Sequence, residues 1–156
     1  MKTIRHVVAF SAIALVCVTA RADAPEAKRR LTPAEVAAWT GGGAPPPPAN
    51  ATSGVSSVAL TGDPTKPGLY TIKVTIAPHT RVRPHTHRDN RAVVVMSGSW
   101  SVGYGAKFDA AALKELLPGS FLTEPAGQPH FAQSGDQPVI IWVTGYGPSD
   151  TKFVAP

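Results

Sequence analysis

The chain has 156 residues, with 15 lysines and arginines against 10 aspartates and glutamates, and a single cysteine. That length suits one domain with a real core, and 43% hydrophobic with 16% charged residues excludes a disordered chain. One cysteine excludes a disulfide scaffold and any multi-cysteine zinc or iron–sulfur centre, while 14 glycines and 16 prolines favour short strands over a helical bundle.

Residues 1–22 read as an export signal. Lys2 and Arg5 form a basic head, Val7 to Ala20 is an apolar or small-residue run, and Ala20-Arg21-Ala22 has the small-x-small form of a cleavage site. The run is short for a transmembrane helix. Cleavage after Ala22 removes Cys17 and leaves 12 basic against 10 acidic residues, so the basic balance of the whole chain is no argument for nucleic acid. The expectation is a periplasmic or secreted protein with no nucleic-acid partner, held by its core and free of the membrane once the signal is cut.

Residues 23–54 read as an arm ahead of a barrel domain at 55–156. Thr32, Pro33 and Glu35 have the spacing of a capped short helix, stopped by Gly41-Gly42-Gly43 and followed by a stiff run from Pro45 to Pro48. From Val55 the pattern turns to strands. Leu69 to Ile76 alternates, and further strands are predicted at Arg91–Met96, Ser99–Tyr104, Ser120–Thr123 and Val139–Thr144. A helix is predicted at Asp109–Leu117, started by an Asp cap and ended by Pro118-Gly119. Short strands with frequent turn residues and one minor helix indicate an all-β antiparallel sandwich or barrel.

The chemistry sits in the histidines. In Arg83-Pro84-His85-Thr86-His87 an extended backbone sends both imidazoles to one face, and a third from a distant strand completes a three-histidine metal site. His130, in Pro125-Ala126-Gly127-Gln128-Pro129-His130, is the candidate. His79 reads as a solvent-facing turn residue. The larger aromatic residues, Trp100, Trp142, Phe121, Phe131, Tyr70 and Tyr104, read as core before cavity wall.

The stretch from His79 to Ser134 resembles the two signature motifs of the cupin superfamily. The first, G-x5-H-x-H-x3,4-E-x6-G, is matched in spacing by His79, His85, His87, Arg91 and Gly98. The second, G-x5-P-x-G-x2-H-x3-N, is matched by Gly119, Pro125, Gly127, His130 and Ser134. Residue type departs at His79, Arg91 and Ser134. The resemblance implies a jelly-roll β-barrel, one divalent transition metal (Fe, Cu, Zn, Ni or Mn) on His85, His87 and His130, and a homodimer. It implies a small-molecule ligand or substrate, with oxygen insertion of the dioxygenase type as one chemistry and a non-catalytic binding module as the alternative.

Arg91 stands where the family carries a metal-binding glutamate, and a guanidinium cannot ligate a cation. Three outcomes are open: it pairs with Asp89 or Glu124 and leaves a neutral three-histidine site, it holds a substrate anion beside the metal, or the barrel holds no metal. Asp89 and Glu124 are also the carboxylates available to replace the missing one. Solvation is the competing expectation for Asp89, and a surface or salt-bridge role is the default for Glu124.

Overall fold

The computed structural model describes residues 28–40 and 52–155. The export signal, the glycine stop at 41–43 and the proline run at 45–48 lie outside the described residues. Among the described residues no helix is long and apolar enough to cross a membrane.

Among the described residues ten strands follow one α-helix: α1 (Pro33–Ala38), β1 (Val55–Thr61), β2 (Gly68–Ile76), β3 (Arg81–Thr86), β4 (Arg91–Ser97), β5 (Trp100–Tyr104), β6 (Lys114–Leu116), β7 (Phe121–Glu124), β8 (His130–Ser134), β9 (Val139–Gly147) and β10 (Lys152–Phe153). They form two antiparallel five-stranded sheets, ordered β1-β2-β9-β4-β7 and β10-β3-β8-β5-β6. The all-β jelly-roll expectation therefore holds. The two inner faces meet over an apolar core in which Ile76, Val93, Val95, Ile141 and Val143 of the first sheet oppose Val82, Trp100, Val102 and Ala132 of the second. Strict alternation on β9 shows why: Val139, Ile141 and Val143 are buried while Ile140, Trp142 and Thr144 between them are not. Tyr70 and Phe131 are fully buried as expected, but Phe121 and Tyr104 are exposed rather than core.

One strand that frames the site, β3, has no clear apolar signature. β3 contains Pro84, which cannot donate to the ladder, and its register with β8 is broken between Val82 and His85. Pro84 instead contributes its carbonyl, which accepts from Val154 N at 2.9 Å. The turn at Gly98 has φ 75°, and a Cβ there would lie 2.4 Å from the Pro138 carbonyl oxygen, so that motif position requires glycine.

The helix predicted at Asp109–Leu117 is corrected. Asp109 does cap a helical turn, accepting from Ala111 N at 2.9 Å, but the turn is a 3₁₀ segment of three residues, Ala110–Ala112. Lys114–Leu116 is instead a strand paired with β5, with Leu116 opposite Trp100. One turn is below the length at which a helix sustains itself, and pairing satisfies the free edge of β5.

The short helix at 33–38 is present with the predicted cap: Glu35 N donates to Thr32 Oγ1 at 3.4 Å and Thr32 N donates to Glu35 Oε2 at 2.7 Å. It is anchored on the outer face of the first sheet. Lys73, buried on β2, donates its ammonium to the carbonyls of Val36 (2.8 Å), Ala37 (3.3 Å) and Trp39 (3.0 Å), while Trp39 Nε1 donates to Ala59 O at 2.8 Å. A lysine placed by strand alternation on the outer face thus satisfies the orphan carbonyls at a helix end.

Candidate metal centre

The second sheet brings three histidines to one point. His85 near the end of β3 stands directly opposite His130 at the start of β8, and His87 follows β3 immediately, on the same side of the chain. Ring centroids lie 4.9 Å apart for His85–His87, 4.2 Å for His85–His130 and 5.1 Å for His87–His130. One nitrogen from each ring lies within 4.8 Å of the other two, and all three side chains are buried. The sequence-predicted trio is therefore assembled. His79 is elsewhere, in an exposed turn with φ 54°, as its turn reading implied.

Backbone carbonyls orient the rings. His85 Nδ1 lies 2.8 Å from Arg83 O, His87 Nδ1 2.6 Å from Asp150 O and His130 Nδ1 3.3 Å from Gln128 O. A carbonyl only accepts, so the contact at His85 places its proton on Nδ1 and leaves its Nε2 lone pair bare. His87 Nε2 and His130 Nε2 are buried without a hydrogen-bond partner. Burial holds the His85 pKa down to about 4, with His130 adding to the effect, and holds that of His87 down to about 3, with Arg91 adding to it. Three buried imidazoles, each offering one nitrogen within 4.8 Å of the others, are the donor set that a divalent transition metal takes, so the residues fit the group.

The first sheet supplies the charges. Arg91 opens β4, Glu124 closes β7, and the two are register partners across the ladder. Arg91 donates from Nε to Glu124 Oε2 at 2.8 Å and from Nη2 to the same oxygen at 2.6 Å. Of the outcomes left open for Arg91, pairing with Glu124 is realised, but the pair does not leave the site. Glu124 is only 5% exposed, and its oxygens lie 3.7 Å from His87 Nε2 and 3.5 Å from His130 Nε2. Burial alone would raise the Glu124 pKa; the Arg91 guanidinium first, and the two imidazoles after it, outweigh this and hold the carboxyl well below its ordinary range. Arg91 Nη1 sits 3.1 Å from His87 Nδ1, the nitrogen that also faces Asp150 O. The surface reading of Glu124 is thus overturned and its salt-bridge reading upheld.

Asp89 is buried, not solvated, and is not at the histidines. It accepts from Tyr70 at 2.6 Å and from Ser149 Oγ at 2.7 Å, and burial together with that bond raises the Tyr70 pKa to about 12. Its role is to hold the loop between His87 and Arg91. The neighbouring Asp150 ties the same loop, accepting from Arg88 N at 2.9 Å on its carboxylate while its carbonyl orients His87. Ser134, at the asparagine position of the second motif, donates to Ala77 O at 2.7 Å and accepts from Thr80 N at 2.8 Å, fastening the end of β8 to the turn before β3.

The imidazoles and the ion pair stand at the polar end of a cavity of about 170 Å³ whose remaining wall is mainly apolar, including Ile72, Val74, Trp100, Val102, Ile141 and Phe153.

No family profile matches the sequence, and no curated protein does. Solved structures do match, and they are cupin-superfamily proteins. The polyketide cyclase RemF from Streptomyces resistomycificus aligns at TM-score 0.57 with 19% identity, over 67% of this chain and 74% of its own. The fold is that of a cupin. A salicylate 1,2-dioxygenase from Pseudoaminobacter salicylatoxidans aligns at TM-score 0.55 with 16% identity, and an oxalate oxidase at TM-score 0.52 with 20% identity. Each match covers 70% of this chain, but only 31% of the dioxygenase chain and 60% of the oxidase chain. At these identities the likeness is one of fold. Within that fold the chain carries a buried cluster of three histidines, a group that could hold a metal ion.

Proposed function

We propose that the protein is an exported, metal-dependent cupin in which His85, His87 and His130 hold one divalent transition metal and the cavity takes a small organic molecule with an anionic head. The observation that carries this reading is the convergence of one nitrogen from each of three buried imidazoles, with His87 Nε2 and His130 Nε2 buried without a hydrogen-bond partner, in the wall of a mainly apolar cavity. A bound metal of this kind supplies Lewis-acid polarisation or, if redox-active, oxygen chemistry of the dioxygenase type. The chain does the rest. Arg83 O holds His85 in the tautomer that leaves its Nε2 free, and Asp150 O and Gln128 O lie against Nδ1 of the other two rings. The apolar wall excludes water and receives the body of the ligand, and the head lies at the histidine end, where Arg91 would have to exchange its His87 contact to meet it.

Three neutral ligands leave the metal's charge intact, and Arg91 and Glu124 cancel each other, so the cavity retains positive charge that selects an anion. The fold itself accommodates a cyclase, a dioxygenase and an oxidase among its neighbours, so the reaction class must come from the site. One observation favours the second reading, a binding module without chemistry: the only charged groups at the histidines among the described residues are committed to each other, which leaves no free general base there.

The test is the metal content of residues 23–156 recovered untagged after export by the native signal, beside His85→Ala. Close to one equivalent of a transition metal, lost in the variant, is expected; a folded protein without metal overturns the reading. Oxygen uptake and disappearance of the compound, both followed with the loaded protein over a panel of small carboxylates, then separate the two classes, since a module binds without consuming either.

A further inference from the structure

One inward-facing position of the first sheet breaks the apolar pattern of the cavity wall. On β2, Ile72, Val74 and Ile76 line the cavity, and the ladder sets Ala59, Ser57 and Val55 of β1 opposite them in turn. Alternation therefore turns the Ser57 side chain to the same face as Val55 and Ala59, against Val74 on the next strand. Ser57 lines the cavity and is only partly exposed, and among the described residues its hydroxyl has no hydrogen-bond partner. An apolar wall gains nothing from a hydroxyl at that point, because covering it unpaired costs free energy.

The place of Ser57 along the sheet sets what it can reach. The row that holds Arg91 passes through Gly145 to Tyr70, and the row that holds Ser57 passes through Val74, four residues further along β2. The two rows are about 13 Å apart along the strands at 3.3 Å per residue, a gap that the side chains at either end shorten. The polar end and Ser57 therefore face opposite ends of a bound molecule. A cavity of about 170 Å³ lies below the roughly 300–1,000 Å³ of sites for drug-sized ligands, so the body between is a single ring or a short branched chain.

We propose that Ser57 is a ligand-binding residue, and that the cavity takes a small carboxylate whose compact apolar body carries one hydrogen-bonding group, a hydroxyl or a carbonyl, at the end remote from the carboxylate. This rests on the anionic head proposed for the histidine end and adds recognition of the other end. The Ser57 hydroxyl donates to a carbonyl, and donates to or accepts from a hydroxyl. A polyhydroxylated body is rejected, because the apolar wall leaves its remaining hydroxyls unpaired.

Calorimetric titration of the zinc-loaded protein with 4-hydroxybenzoate, the equally sized 4-methylbenzoate and glucuronate tests this. 4-Hydroxybenzoate is expected to bind about five- to tenfold more tightly than 4-methylbenzoate, the worth of one hydrogen bond, and glucuronate more weakly than either. Ser57→Ala should abolish that preference by weakening 4-hydroxybenzoate alone, with 4-methylbenzoate unchanged within about twofold, whereas Ser57→Thr keeps the hydroxyl and the preference. If 4-methylbenzoate binds but the wild-type protein shows no preference, or Ser57→Ala retains one, the assignment of Ser57 is overturned while the anionic-head reading stands. Glucuronate binding as tightly as 4-hydroxybenzoate overturns the ligand class. If neither ring acid binds, the anionic-head reading falls and this inference with it.

Discussion

The two sheets contribute to the same cavity in opposite ways. The second sheet brings three imidazoles, each with Nδ1 against a backbone carbonyl of its own segment or of the C-terminal segment. The first sheet brings two full charges that are pinned by each other. Ligand geometry on the histidine side therefore depends on local backbone, and on the charged side it depends on the pairing of β4 with β7. A site made this way separates what holds a metal from what sets the charge around it, so damage to either side should read out differently.

The largest effect is expected from breaking the histidine side. His130→Ala should lower metal affinity more than about 100-fold, beyond the 10- to 100-fold that loss of a ligand's hydrogen-bond partner costs, as measured by competition with a chromophoric chelator. On the charged side, Glu124→Ala leaves the largely enclosed Arg91 without its partner. Chemical denaturation of the metal-free variant should show a loss of about 3–5 kcal/mol, whereas Arg91→Met with Glu124→Leu should cost far less, because the pair is removed as a unit.

Acid sharpens the contrast further. His85 and His87 have folded-state pKa values lowered to about 4 and about 3, below the ordinary value of 6.5, so the unfolded chain binds their protons first as pH falls. Stability of the metal-free protein should thus be intact above pH 6.5 and decline below it, by about 2 kcal/mol per histidine near pH 5. Urea midpoints taken across that interval measure it, and a flat profile would mean that the rings are not buried neutral. The smallest effect is expected outside the cavity. Lys73→Met removes the cap on the arm helix and should cost about 1–3 kcal/mol and expose residues 28–40 to protease, with metal affinity unchanged. A change in metal affinity there would mean that the outer face of the first sheet is coupled to the site.

Much of the second sheet's part was legible. The spacing of His85 and His87 puts both rings on one side of any extended chain, and the order of motif residues places His130 beside them. The cap at Thr32 and Glu35 was legible for the same reason: three residues along one chain decide it. The charged side was not. Position relative to the motif gave Glu124 no role, because its neighbour Arg91 is 33 residues away and meets it only through a ladder between strands that are not consecutive. Asp89 was misjudged on the same ground, since its partners Tyr70 and Ser149 lie on other elements. The helix predicted at Asp109–Leu117 failed where an open strand edge, invisible in a local pattern, took Lys114–Leu116.

The sequence by itself thus determined the fold class, the histidine trio and the arginine where a ligand glutamate was expected, because periodicity and short spacings act through the chain's own geometry. Only the tertiary structure decided which carboxylate answers that arginine, since the register of β4 on β7 is set by the burial of Val93 and Leu122 opposite one another in the core. That same register holds the Glu124 oxygens against the imidazoles.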